Sequence, residues 1–156
     1  MSRISFKENN ISQKPALELL QNLAYQYLSP EEALIMRGGK TSNVLLEEVL
    51  RRQLRKLNSI RIGNRKEERF SEQNIDNGVI AMRNVPMEGG YLSGNEAVYN
   101  MLTLGKAFEQ SIDGDKKSYT MRYIDWEHPE NNIYHVTEEF AVTRTGTSDT
   151  YRPDIV

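Results

Sequence analysis

The residue best placed to do chemistry is Asp154, in the run Tyr151-Arg152-Pro153-Asp154-Ile155-Val156. Pro153 fixes its own φ and biases Arg152 towards extended backbone, so Asp154 reads as the first residue of a strand. A strand holds a carboxylate rigidly, which suits metal-assisted phosphodiester hydrolysis. There carboxylates hold Mg²⁺ against the scissile phosphate, and the ion activates water and neutralises developing charge. By chemistry alone, the plainer account is a strand-edge aspartate that satisfies nearby backbone donors. Strands usually run about 5–6 residues, and this one stops at Ile155-Val156, so the chain is expected to be a fragment.

The second group is basic. Arg51, Arg52, Arg55, Lys56, Arg61, Arg65 and Lys66 all lie between 51 and 66. A patch of that density can engage phosphates. It can equally be the solvated face of a helix, because Glu47 and Glu48 precede the bases, an order that suits the helix dipole and i,i+4 pairing. Two further constellations carry less. Arg37-Gly38-Gly39-Lys40-Thr41-Ser42 has the Gly-Lys-Thr ending of a phosphate-binding loop, but Leu34 stands where the pattern needs glycine, and a helix precedes it where a strand is required. A glycine helix stop followed by a helix start explains the same residues. His128 and His135 lie seven apart with no cysteine partners; Asp125, Glu127 and Glu130 surround the first, as a polar loop would also have it. No nucleophile elbow is present.

The totals narrow the class. The chain has 156 residues, the size of one domain, with 38% hydrophobic and 27% charged residues. Net charge is -2, from 20 basic and 22 acidic side chains, so any DNA contact must come from a local patch. The absence of cysteine removes disulfides, thiolate zinc sites and cysteine nucleophiles together. The longest apolar runs are a few residues, too short to span a bilayer, and the expected location is the cytoplasm.

Helices come first. Residues 1–14 read as a flexible lead-in. Pro15 opens a helix over about 15–28, carried by Leu17, Leu20, Ala24 and Tyr27. Ser29-Pro30-Glu31-Glu32 starts a short second helix that Gly38-Gly39 ends. Lys40-Thr41-Ser42 opens a third and longest helix, with Leu46, Leu50, Leu54 and Leu57 as its apolar stripe. A brief helix is expected over 70–76, while Val79-Ile80-Ala81-Met82 fits either strand or buried helix. A further helix runs from Ser93 to about 110, and Asp113-Gly114-Asp115 turns. Strands are expected over 119–124, 133–137 and 139–145, with a last one from Asp154. The fold class is therefore α+β: mainly helical over 15–110, β-rich over 119–156, with helices on a mixed, partly antiparallel sheet.

Several stretches together resemble the N-terminal region of the restriction (R) subunit of type I restriction-modification enzymes. They are residues 15–28, Val44 to Asn58, Ile124-Asp-Trp-Glu-His-Pro-Glu-Asn-Asn132 and Arg152-Pro-Asp154. The tail itself resembles the start of the Pro-Asp…(Asp/Glu)-x-Lys nuclease motif. The resemblance implies a restriction-endonuclease-like core, incomplete here, with Asp154 as the first catalytic, metal-binding carboxylate and Mg²⁺ as its ion. It also implies a second acid and a lysine about a strand further on, and ATP consumed by translocase domains outside this chain. DNA and the methylation and specificity subunits are the implied partners, and the chain alone is expected to be inactive. A different class of function is a non-catalytic DNA-binding or docking module built on the basic span 51–66. An exposed strand edge is also expected to allow a homodimer. Many relatives of this nuclease fold place a glutamate on the first helix near the metal. Gln13 stands near that place, and Glu18 reads as a surface residue.

Overall fold

In the computed structural model, residues 12–63, 66–144 and 146–156 are described; most of the expected lead-in, and Arg65, lie outside them. The chain forms two compact units: residues up to Leu46 together with those from Ile133 onward, and Glu47–Asn132 between them.

In the first unit, α1 (Lys14–Asn22) begins on Pro15 and buries Leu17, while Glu18 is exposed, as a surface residue would be. The helix stops six residues short of the expected 28. Ala24 takes φ 69°, which reverses the chain. Ala24 and Tyr27 fit the helical spacing without being helical, and Gln26–Leu28 becomes β1, where an aromatic residue is at home. β1 pairs in parallel with β6 (His135–Thr137), setting Tyr27 opposite Val136.

The helix α2 (Pro30–Met36) starts with a reciprocal cap. The Ser29 hydroxyl accepts from the Glu32 N–H, and the Ser29 N–H donates to the Glu32 carboxylate at 2.8 Å. That hydrogen bond holds the Glu32 carboxyl below its ordinary range. Gly38 and Gly39, at φ 72° and 71°, end the helix. In the Gly-Lys-Thr stretch, Asn43 donates to the Arg37 carbonyl and the Thr41 hydroxyl meets that of Thr143 at 2.7 Å. These are the contacts of a helix stop and a strand anchor, not of the helix start expected at 40–42, and the third helix begins only at Glu47. The guanidinium of Arg37 is buried, donates to the carbonyls of Asn43 and Ala141 at 3.0 Å each, and lies 3.8 Å from the centroid of the Phe140 ring. It thereby fixes the approach to β7 (Val142–Thr143), which pairs antiparallel with β8 (Thr150–Tyr151). The strand expected over 139–145 is shortened to those two residues.

The second unit is built on α3 (Glu47–Leu57), α4 (Glu72–Arg83) and α5 (Gly90–Leu104). Leu54, Ile75, Val79, Met101 and Met121 are buried in one cluster with Phe70 and Tyr123. Residues 79–82, open between strand and helix in the sequence, belong to α4, whose Ser71 cap accepts from the Asn74 N–H. At Gly78 a Cβ would lie 2.8 Å from Met121 Sδ, so glycine allows the close approach there, and its carbonyl accepts from the buried Tyr123 hydroxyl at 2.7 Å.

The last helix ends earlier than expected. Gly105, at φ 78°, stops α5, and β4 (Lys106–Ile112) pairs with β5 (Asp115–Met121) across Asp113-Gly114, both at positive φ as a two-residue hairpin turn requires. Phe108, Gln110 and Ile112 are the half-buried positions of β4, a strand's period of two in place of the helix expected to about 110. A short hairpin of β2 (Ile60–Ile62) and β3 (Lys66–Glu68) completes the unit. The class is α+β as expected, with one parallel and three antiparallel pairings. Among the described residues these form four separate two-stranded ladders, not one sheet.

Candidate metal and nucleic-acid site

The strand expected to begin at Asp154 is reduced to a single antiparallel bridge one residue later, between Ile155 and Glu138. Its backbone is nonetheless well tied. Thr137 and Val156 exchange N–H···O bonds at 2.9 Å in both directions. With Glu139 in the left-handed region at φ 51°, the consecutive N–H groups of Glu139 and Phe140 donate to the carbonyls of Asp154 and Pro153, each at 3.1 Å. The interruption at Glu139 is why a regular strand does not form, and it leaves Asp154 exposed at the surface.

Three acids lie at this junction, and their environments differ. The carboxylate of Glu138 is held at both oxygens, by the Tyr27 hydroxyl at 2.7 Å and by the Gln13 side-chain amide at 3.0 Å. Glu139 pairs with Arg152 at 2.5 Å. The Asp154 carboxylate has no ion pair or hydrogen bond among the described residues. The Glu138 charge raises the Tyr27 hydroxyl to about 12, chiefly because the phenol donates to it. Gln13 is 6% exposed, and its amide also donates to the Asp154 carbonyl at 3.1 Å.

A hard divalent ion such as Mg²⁺ takes oxygen ligands and is commonly bound through one or two carboxylates, with waters and substrate phosphates filling the rest. An unpaired carboxylate on an anchored backbone fits one such ligand position. Glu138 and Glu139 are already engaged, and the described residues contain no group of three or more His, Asp or Glu side chains able to hold a metal. Of the three acids at this junction, Asp154 is the one whose carboxylate has no partner among the described residues.

In the basic span, local acids take up part of the charge. Arg51 pairs with Glu47, Glu48 and Asp76, and Arg55 forks onto both oxygens of Glu72, at 3.0 Å and 2.6 Å. Lys66 reaches Glu68 and Asp113, and Lys56 donates to the Asn131 carbonyl. Arg52 and Arg61 are exposed with no acid partner among the described residues. Around His128, Asp125 accepts from the His128 N–H and the Asn131 amide, which holds its carboxyl low; the group is a loop brace, as the polar-loop account has it.

Sequence alone gives Tyr27 as a helix position and Gln13 as standing near the place of a first-helix glutamate, and it does not single out Glu138. A signal was available: Glu138-Glu139 interrupts an apolar strand with two acids, which strict alternation would not do.

Fold and tail together define an α+β scaffold whose tail holds Asp154, a carboxylate without a partner among the described residues, on a pinned chain segment. Over residues 5–156 the sequence matches the family model described as type I restriction enzyme R protein N terminus, and the chain belongs to that family. It is similar to the type I restriction enzyme HindI endonuclease subunit of Haemophilus influenzae (strain ATCC 51907 / DSM 11121 / KW20 / Rd), 27% identical over 153 residues. That alignment covers 96% of this chain and 13% of the relative, so the chain spans a small part of the protein it matches. No solved structure gives a match.

Proposed function

We propose that this chain is the opening part of the nuclease region of a type I R subunit that cleaves DNA, with Asp154 as a catalytic residue binding Mg²⁺. The observation carrying the reading is that the Asp154 carboxylate has no partner among the described residues, beside two acids that are both engaged. When bound, the ion would supply charge neutralisation at the phosphate and a more acidic water. The chain's own part is to hold the Asp154 backbone still and keep its carboxylate open to solvent. ATP consumption and the methylation and specificity subunits belong, on this reading, to the longer protein and its complex. One carboxylate does not complete a site, so the chain alone is inactive on DNA.

The test is plasmid cleavage by the full-length R subunit in its complex, with Mg²⁺, ATP and the partner subunits. Asp154→Ala is expected to abolish cutting while leaving circular dichroism unchanged, since the side chain is exposed and unpaired. Cleavage that survives Asp154→Ala overturns the reading. A second reading, a DNA-docking surface on the basic span, is favoured by one observation: Arg52 and Arg61 are exposed without acid partners among the described residues.

A further inference from the structure

We propose that Gln13 is a positioning residue for Asp154, a role that rests on the functional reading above. Its amide nitrogen donates to two acceptors that are remote in sequence, the Glu138 carboxylate at 3.0 Å, 125 residues away, and the Asp154 carbonyl at 3.1 Å, 141 residues away. The Asp154 carbonyl thus receives two donors, the Gln13 amide and the Glu139 N–H. A carbonyl oxygen offers two lone pairs, and with both engaged the peptide plane that follows Asp154 cannot rotate without losing a bond. The side chain is buried, so water does not easily replace the lost donor. Tyr27 completes the device by holding the second oxygen of Glu138, which keeps that acceptor in place for Gln13. Glu138 is already held at both oxygens, by Tyr27 and by Gln13. What Gln13 and Glu138 set is the direction in which the Asp154 side chain leaves the backbone.

Three variants separate positioning from simple packing. Gln13→Met keeps the length and removes the donor. Gln13→Glu puts a carboxylate against both Glu138 and the Asp154 carbonyl. The exchange Gln13→Glu with Glu138→Gln restores a donor–acceptor pair between the two side chains, and lets Tyr27 donate to the new amide oxygen. It still leaves an acceptor facing the Asp154 carbonyl.

Hydrogen exchange at the Glu139 amide is read on this chain, and kcat and KM on the full-length subunit in its complex. In Gln13→Met, protection at Glu139 is expected to fall about 5- to 10-fold, the factor one intramolecular hydrogen bond contributes. Displacement of a reacting group is expected to lower kcat roughly 10- to 100-fold with KM for DNA unchanged. In the exchange variant, thermal stability recovers while Glu139 protection and kcat stay low. Recovery of kcat along with stability would show that Gln13 acts only through Glu138 and the fold, and would overturn the proposal. So would a Gln13→Met protein with unaltered protection and kcat. Loss of cleavage in Asp154→Ala with unaltered kcat in Gln13→Met refutes the positioning role alone, whereas cleavage retained in Asp154→Ala refutes the functional reading beneath it.

Discussion

Replacing Arg37 by methionine tests the idea that one buried cation organises the strands leading to the tail. Methionine keeps most of the stem and removes the guanidinium, with its two bonds at 3.0 Å to the carbonyls of Asn43 and Ala141 and its stacking on Phe140. A hydrogen bond from a charged donor contributes about 1.5–3 kcal/mol, and a desolvated cation–π contact up to about 2 kcal/mol, giving a gross loss of roughly 5–8 kcal/mol. Against this stands relief of burial. Arg37 is 4% exposed, burial pushes its pKa down, and its Nε finds no partner among the described residues, so removing the charge recovers several kcal/mol of desolvation cost. The net is a destabilisation of about 2–3 kcal/mol. With a urea m-value of about 2 kcal/mol/M, the midpoint measured by far-UV circular dichroism should fall by about 1–1.5 M. Arg37→Lys keeps the charge but not the planar guanidinium that lies over Phe140 while its Nη1 donates to both carbonyls, and should fall between the two. A midpoint for Arg37→Met within about 0.2 M of wild type would refute the account, since the m-value above makes that less than ~0.5 kcal/mol.

Gly78→Ala gains about 1 kcal/mol of helix propensity but places a Cβ 2.8 Å from Met121 Sδ and 3.1 Å from Leu54 Cδ1, and overpacking of that kind costs about 1–3 kcal/mol. The thermal midpoint should fall by a few degrees; a rise would mean that Met121 moves aside without strain. Tyr27 gives a pH prediction. Its hydroxyl is raised to about 12 by donation to Glu138, so the stability it contributes is fully present below pH 10 and is lost as pH climbs from 10 towards 12. Glu138→Gln should bring its phenolate absorbance back towards the ordinary range, leaving Tyr123, raised to about 12 by burial, as the late-titrating tyrosine. On the basic span, Arg52→Glu with Arg61→Glu should weaken duplex binding and reduce the magnitude of its log–log salt slope by roughly 2, at about 0.9 per phosphate contact. An unchanged slope removes those residues from any DNA surface.

Much of the scaffold is legible in the residues. Ser29-Pro30-Glu31-Glu32 announces its helix start, Gly38-Gly39 its helix stop and Asp113-Gly114 its turn, because each depends on neighbours in sequence. The misses are of another kind. Ala24 and Gly105 end helices whose apolar spacing continues past them, so periodicity overran the backbone reversal. Of the site, Pro153-Asp154 was visible because proline acts on its neighbour. The partners Gln13, Tyr27 and Glu138 were not, since they meet only through pairing over more than a hundred residues, which no local pattern encodes.

The pairing of Tyr27 with Glu138 across 111 residues also has a temporal meaning. At synthesis rates of about 5–20 residues per second, β1 leaves the ribosome roughly 5–20 s before its partner strand exists. The Glu47–Asn132 unit, contiguous in the chain, has all its parts available within that interval. Strand β1 and the Gln13 amide wait with their hydrogen-bonding groups unclaimed, and an unpaired strand edge is open to wrong partners while it waits. The Asp154 junction is thus among the last features of this region to assemble, and a slow or stalled chain is most exposed to misassembly there.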